Sequence, residues 1–268
     1  MTPVALHRRS SVQQVEEGVL PAPAFDEHGR QPARSRDHFV AQMIRKNPRG
    51  DPAPVYERAF VDRLRTGFES AVLGCIDDAD VELALWRRSL NAELSQWLDE
   101  LPVACLPHLP VPVQVVDLVP AVHAACHAAG TPPGPMCDAL LDDIAALACR
   151  FARIARSARL RVRLEVVNNN SCRRLHRDCL PLRLLCTYRG PGTVWVPPTH
   201  AAQALAAAAD DYDGPFDHSA THDVAIFKGC GFAGQAYDSG IVHRSPRIEG
   251  SGITRLVLCL DPALEPAT

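Results

Sequence analysis

An α+β fold, with a helical layer ahead of a β-rich core, is what the sequence predicts. Three observations point to it. Apolar residues recur every three or four positions up to about residue 156. From about residue 159 the period shortens to two. The later segments are short and divided by Gly/Pro turns such as "YRGPGT" and "KGCGFAGQ". A run of strands without alternating helices favours an antiparallel barrel or sandwich over βαβ units.

Residues 1–52 are rich in Pro, Arg and small residues and show no sustained period, so they read as a disordered extension, with a short helix fitting Asp37 to Lys46. Residues 53–268 read as a single domain, mainly helical over 53–158 and β over 159–262. In "DADVELALWRRSLNAELSQWLDEL" the residues Leu83, Trp86, Leu90, Leu94, Trp97 and Leu101 fall at helical steps, with Asp78 or Asp80 to cap the start and Pro102 to end it. "LPHLPVPVQVVDLVP" has too many prolines for a helix and reads as a loop with some strand. "CDALLDDIAALACRFARIARSARL" is a second helix, striped by Leu140, Ile144, Leu147, Phe151 and Ile154, with acids leading and bases trailing as the helix dipole favours. "LRVRLEVV" then alternates as a half-buried strand. Further strands are expected at 181–188, 193–197, 223–228, 238–243 and 254–260, interrupted by an Ala-rich helix in "THAAQALAAAADD".

Composition narrows the function. The 268 residues are 47% hydrophobic and 22% charged, with 28 basic against 31 acidic side chains and a formal net charge of −3. That balance offers no footprint for a nucleic-acid partner, whose phosphates need Lys and Arg. No apolar run is long enough for a membrane span. The ten cysteines include no CxxC pair, which removes paired zinc-finger spacing. The opening "MTPVALHRRSSVQQ" lacks an apolar signal region. Reduced, mostly buried thiols in a cytoplasmic protein are therefore expected.

The chemistry concentrates in "RRLHRDCLPLRLLCTYRGPGTVWVP", residues 173–197. A His-Arg-Asp opens a protein kinase's catalytic loop, but the Asn required five positions after the Asp is here Arg183, and neither a Gly-rich phosphate loop nor Asp-Phe-Gly accompanies it. A metal site fits better. Positions i and i+2 of a strand share a face, so His176 and Asp178 would present an imidazole and a carboxylate side by side. His243 in "DSGIVHRSP" is the best third ligand. Two His and one carboxylate on one face of an octahedron leave open positions, as in non-haem Fe(II) oxygenases. The plainer alternative is a hydrogen-bonded surface His–Asp pair.

His176-x-Asp178, His243 and, twelve residues later, Arg255 resemble the HxD…H…R pattern of Fe(II)/2-oxoglutarate-dependent dioxygenases. The resemblance implies a double-stranded β-helix, or jelly roll, holding iron on His176, Asp178 and His243, with Arg255 on the far carboxylate of 2-oxoglutarate. Its guanidinium fork suits that partner. The segments "LALWRR", "CRRLHRDCLPLRLLCTYRGPGT", "HDVAIFKG" and "GIVHRSP…TRLVLCLD" are also similar to a bacterial family of domains of unknown function, family 1826, over roughly residues 55–262. That family tends to occur near zinc-responsive genes, which implies a role in metal limitation and leaves a non-redox zinc-binding jelly roll as the alternative to an oxygenase. The substrate, small molecule or protein, is not implied.

Neighbouring residues carry lesser expectations. Tyr188 is a candidate donor to 2-oxoglutarate or, equally, a buried core tyrosine. Arg183 and Arg189 are possible carboxylate contacts, with solvated surface the plainer reading. Arg244 and Ser245 follow His243 and are placed to orient it. Cys172 and Cys179 read as buried, Lys228 as solvent-facing, and His218 with His222 as a minor metal candidate. "FKGCGFAGQAYDSG" lacks the Walker Lys-Ser/Thr and reads as a lid.

Overall fold

The computed structural model describes residues 63–263, apart from 208–210 and 234–238. All lie within one unit, Pro54–Thr268. The extension expected over residues 1–52 lies outside the described residues. The architecture is mixed α+β. Strands β1 (Leu64–Gly67), β2 (Leu83–Trp86), β3 (Leu109–Gln114), β4 (Arg159–Val167), β5 (Leu182–Arg189), β8 (Val224–Lys228) and β10 (Arg255–Pro262) form a seven-stranded sheet in the order β1-β2-β8-β5-β10-β4-β3. All its pairings are antiparallel except β1 with β2. A smaller antiparallel sheet joins β6 (Val194–Trp195) to β7 (Asp217–His218) and β9 (His243–Arg244).

The large sheet has two unlike faces, and strand parity decides which residue lies on which. Leu160, Val162 and Leu164 of β4, Leu256, Leu258 and Leu260 of β10, Leu182, Leu184, Cys186 and Tyr188 of β5, and Val224 and Ile226 of β8 belong to one core, shared with the helices. Those helices are α1 (Ala92–Glu100), α2 (Leu118–Ala129) and α3 (Pro135–Ile154). The opposite face of β4 and β10 carries Arg163, Glu165, Arg255, Val257 and Cys259, which line a cavity. Towards β2 and β8, Leu83, Leu85, Ala225 and Phe227 of the large sheet pack against Trp195 and Ile241 from the side of the small one. β10 sits between β5 and β4, and seven of its eight residues are buried, which is why "RLVLCLDP" reads as nearly continuous apolar sequence.

Helix α3 forms where its stripe predicts. Pro135 opens it, Asp138 lies in the first turn and Arg153 in the last, and Leu140, Ile144, Leu147 and Phe151 are buried. The long helix expected over residues 78–101 is a correction. Leu83–Trp86 is a strand between β1 and β8, and the helix begins only at Ala92, capped by Asn91 Oδ1, which accepts from Glu93 N–H at 2.8 Å. A fully buried strand needs apolar side chains on both faces, so Leu83 and Trp86 matched helical spacing by coincidence. Helix α2 was not anticipated. Its Pro120 falls in the first turn, where the missing N–H costs nothing, and Gly130 closes it at φ 68°. Among the described residues the Ala-rich segment is helical over α4 (Ala201–Ala206), and the strand expected at 238–243 pairs at His243–Arg244. No helix of the described residues is long and apolar enough to cross a membrane.

Candidate metal centre

The site is assembled from backbone pairing. His176 and His243 form an isolated antiparallel bridge, with His176 N–H donating to the His243 carbonyl at 3.1 Å and His243 N–H returning to the His176 carbonyl at 3.0 Å. This places two side chains 67 residues apart directly opposite each other, with ring centroids 4.5 Å apart. The strand expected at His176–Asp178 reduces to that single bridge, yet both side chains still point to the same place. Asp178 is held by a second strip of backbone, because its carbonyl accepts from Cys230 N–H at 3.0 Å. Gly229 permits that approach, since a Cβ there would collide with the carbonyl oxygens of Leu180 and Asp178.

One ligand atom from each of His176, Asp178 and His243 lies within 4.8 Å of the others. Ligands at about 2.1 Å from one ion sit roughly 3–3.5 Å apart, so a small inward movement completes a site. Each imidazole is oriented by its own backbone. His176 Nδ1 is 3.0 Å from the Arg174 carbonyl and His243 Nδ1 is 3.0 Å from the Ile241 carbonyl. A carbonyl only accepts, so Nδ1 carries the proton in both and Nε2 presents its lone pair inward. Asp178 Oδ2 is buried without a hydrogen-bond partner and lies 3.5 Å from His243 Nε2. An orphaned carboxylate oxygen beside an imidazole lone pair is unfavourable unless something cationic lies between them. The donor set fits a divalent metal.

Electrostatics favour the same reading. Burial pushes the His243 imidazole down to about 4, against the opposing charge of Asp178, so it stays neutral and ligand-ready across physiological pH. Contact with Cys172, whose Sγ is 3.7 Å from Nε2, raises His176 and lowers the Cys172 thiol. Phe227 covers His243 at 4.6 Å between centroids.

Arg255 shares the cavity, about 320 Å³ in volume, with His176, His243, Arg183, Arg244, Ser245 and Thr193. It is 2% exposed. Nε donates to the Pro191 carbonyl at 2.7 Å and Nη2 to Thr187 Oγ1 at 3.4 Å. No carboxylate among the described residues lies within ion-pair distance of it, in contrast to Arg163 and Arg183 in the same cavity. Burial drags its guanidinium down to about 10, with only the charge of Glu165 opposing.

Several expectations need correction. Tyr188 does not reach the cavity: it lies on the helix-facing side of β5, its hydroxyl donating to Asp143 Oδ2 at 2.6 Å, and burial raises it well above its ordinary value. Residues 177–181 lie outside any strand, so β5 sets its own phase and Tyr188 shares the helix-facing side with Leu182, Leu184 and Cys186. Arg183 is not solvated surface. It donates to Asp178 Oδ1 at 2.6 Å and to both oxygens of Asp261, at 2.8 and 3.0 Å. Arg189 instead caps α1 through the Leu98 and Leu101 carbonyls. Arg244 and Ser245 line the cavity, but Ile241 orients His243; Arg244 stacks on Phe216 at 4.6 Å. Cys172 and Cys179 are exposed. Lys228 is 1% exposed, donating to the Asp78 carbonyl at 2.7 Å. His218 and His222 join no metal-sized cluster among the described residues. Sequence reasoning also missed Asp261, although an even offset of six from Arg255 along one strand marks it as sharing that face.

A family profile described as "Protein of unknown function (DUF1826)" matches residues 68–261. The chain belongs to this family. Among curated proteins no sequence match is found. Solved structures similar to this DUF1826 chain include a rice dioxygenase for auxin oxidation, at 14% identity and TM-score 0.41, covering 74% of this chain and 81% of the other. AviO1 from Streptomyces viridochromogenes Tue57 is 17% identical with TM-score 0.35, covering 75% and 99%. A Pseudomonas putida prolyl-4-hydroxylase is 14% identical with TM-score 0.30, covering 63% and 97%.

Proposed function

We propose that the chain is a non-haem Fe(II)/2-oxoglutarate-dependent oxygenase of hydroxylase or demethylase type, built on a double-stranded β-helix. One observation carries the reading: buried Arg255, with no carboxylate among the described residues within ion-pair distance, shares a cavity with His176 and His243, whose ligand atoms converge with one from Asp178, a residue whose Oδ2 is buried without a hydrogen-bond partner. Each half is costly alone, and a divalent metal with a dicarboxylate between it and Arg255 relieves both. The facing of the small sheet and the large one across Trp195 and Phe227 supports the β-helix part of the reading.

His176 and His243 would hold the metal through Nε2 and Asp178 through Oδ2. Iron with 2-oxoglutarate supplies oxidative chemistry at an unactivated C–H bond. Arg255 would bind the distal carboxylate, its charge restored towards normal by a partner on the fork. Thr187, in contact with Nη2, positions that fork. Leu185 and Val257 give this otherwise polar cavity an apolar stretch of wall, and Phe227 packs on the His243 ring.

Purified anaerobically with Fe(II) and then supplied with O2, the protein should convert 2-oxoglutarate to succinate and CO2, and His176→Ala or Asp178→Ala should abolish this. Wild-type turnover in both variants refutes the assignment. A second reading, non-redox zinc binding through the same residues, is favoured by Cys172 beside His176, since thiolate suits zinc. Metal analysis with and without 2-oxoglutarate separates the two: tight zinc indifferent to 2-oxoglutarate supports the second.

A further inference from the structure

The two oxygens of Asp178 keep different company. Oδ2 has no hydrogen-bond partner, whereas Oδ1 accepts from Arg183 Nη1 at 2.6 Å. Arg183 is itself gripped from behind, its Nε and Nη2 on the two oxygens of Asp261 at 2.8 and 3.0 Å. Asp261 takes a second guanidinium, Arg163 Nη2, at 3.2 Å. The side chains of Asp178 and Asp261 are 7% and 5% exposed, and that of Arg183 17%, so water competes little for these bonds. A planar guanidinium held at two corners by Asp261 cannot turn, and its remaining corner is aimed at Oδ1.

A carboxylate can bind a metal through one oxygen or chelate it through both. Chelation by Asp178 would require Oδ1 to leave Arg183. Resting on the metal-site reading above, we propose that Arg183 is a positioning residue that restricts Asp178 to single-oxygen ligation through Oδ2. Two imidazoles and one oxygen then fill one face of an octahedron, leaving three positions open. That number suits a two-point chelating co-substrate and one further small ligand; a chelating Asp178 would leave one position too few. Arg183 also draws charge from the carboxylate, so it loosens the metal while keeping coordination positions free. Asp261 and Arg163 hold the device from outside the ligand set.

The test uses Mn(II) and the whole chain, with no turnover needed. Line broadening of the Mn(II) paramagnetic resonance in ¹⁷O-water counts coordinated waters, and titration gives the affinity. In wild type three waters are expected. In Arg183→Met, and more weakly in Asp261→Asn, one water should be lost and Mn(II) should bind several-fold tighter, because Asp178 is free to chelate. Arg183→Lys, which keeps the charge but not the fork, should fall between and guards against a misfolded Met variant. An unchanged water count in the folded variants overturns the proposal and leaves the metal site standing, since a merely structural role alters stability alone. A wild-type protein that binds no Mn(II) overturns both.

Discussion

Arg255 is the residue whose environment is least explicable without a ligand. A guanidinium 2% exposed, with a carbonyl and a hydroxyl for partners, loses most of its hydration and gains no ion pair among the described residues, only the through-space charge of Glu165. Arg255→Met should therefore act in two directions. Binding of 2-oxoglutarate, read by calorimetry on the Mn(II)-loaded protein, should weaken by roughly tenfold to a hundredfold, the range of a charge-assisted hydrogen-bonded contact. The ligand-free protein should gain stability, by about 1 kcal/mol in urea unfolding, because an unpaired buried charge is gone. Loss of both binding and stability would mean that Arg255 serves only to tie the Pro191 turn to β10. A role for it rests on the HxD…H…R resemblance, but its place at the start of an apolar strand was legible in sequence. Tyr188 was not, because a loop between Asp178 and β5 resets strand parity, and parity cannot be carried across irregular backbone.

At the scale of elements, the joint between α3 and the large sheet is polar at its centre. Asp143 of α3 receives both terminal nitrogens of Arg88, at 2.5 and 2.8 Å, and the Tyr188 hydroxyl at 2.6 Å, while Arg88 Nε donates to the His222 carbonyl at 2.9 Å. The Arg88 and Asp143 side chains are 9% and 18% exposed, so removing one partner strands the other. Asp143→Ala should cost about 3 kcal/mol of unfolding free energy, measured by denaturant titration, with Mn(II) affinity of the folded fraction unchanged. A cost below about 1 kcal/mol would show water replacing the lost carboxylate. The apolar stripe of α3 was readable because a helix buried on one side repeats its pattern over several turns. β2 was misread because a strand of four residues, three of them buried, carries no period that distinguishes strand from helix, and its identity rests on neighbours β1 and β8 that come from elsewhere in the chain.

For the whole molecule, pH should act through His243. Its folded-state value is depressed by burial to about 4, below the ordinary 6.5, so the unfolded chain takes up the proton more readily. The stability this represents is fully present above about pH 6.5 and is lost as pH falls from there through 4, amounting to roughly 3 kcal/mol at most for the one group. Thermal unfolding of metal-free protein from pH 7.5 to 4.5 should show the decline. His243→Gln should flatten it, and a variant with the same slope as wild type would assign the acid sensitivity to other groups. Bound metal should steepen the loss, since ligand nitrogens must be unprotonated. The sequence by itself determined that α3, β4, β5, β8 and β10 lie where they do, and it singled out His176, Asp178 and His243, whose ligand atoms converge. Local periodicity and residue chemistry carry that much, because an element's buried face is written in its own side chains. Only the tertiary structure decided that the two histidines oppose each other across a single bridge, that Tyr188 faces the helices, and that Asp261 steadies Arg183 against Asp178. Those facts depend on which strands become neighbours and in what register, and pairing between distant segments leaves no periodic trace in either one.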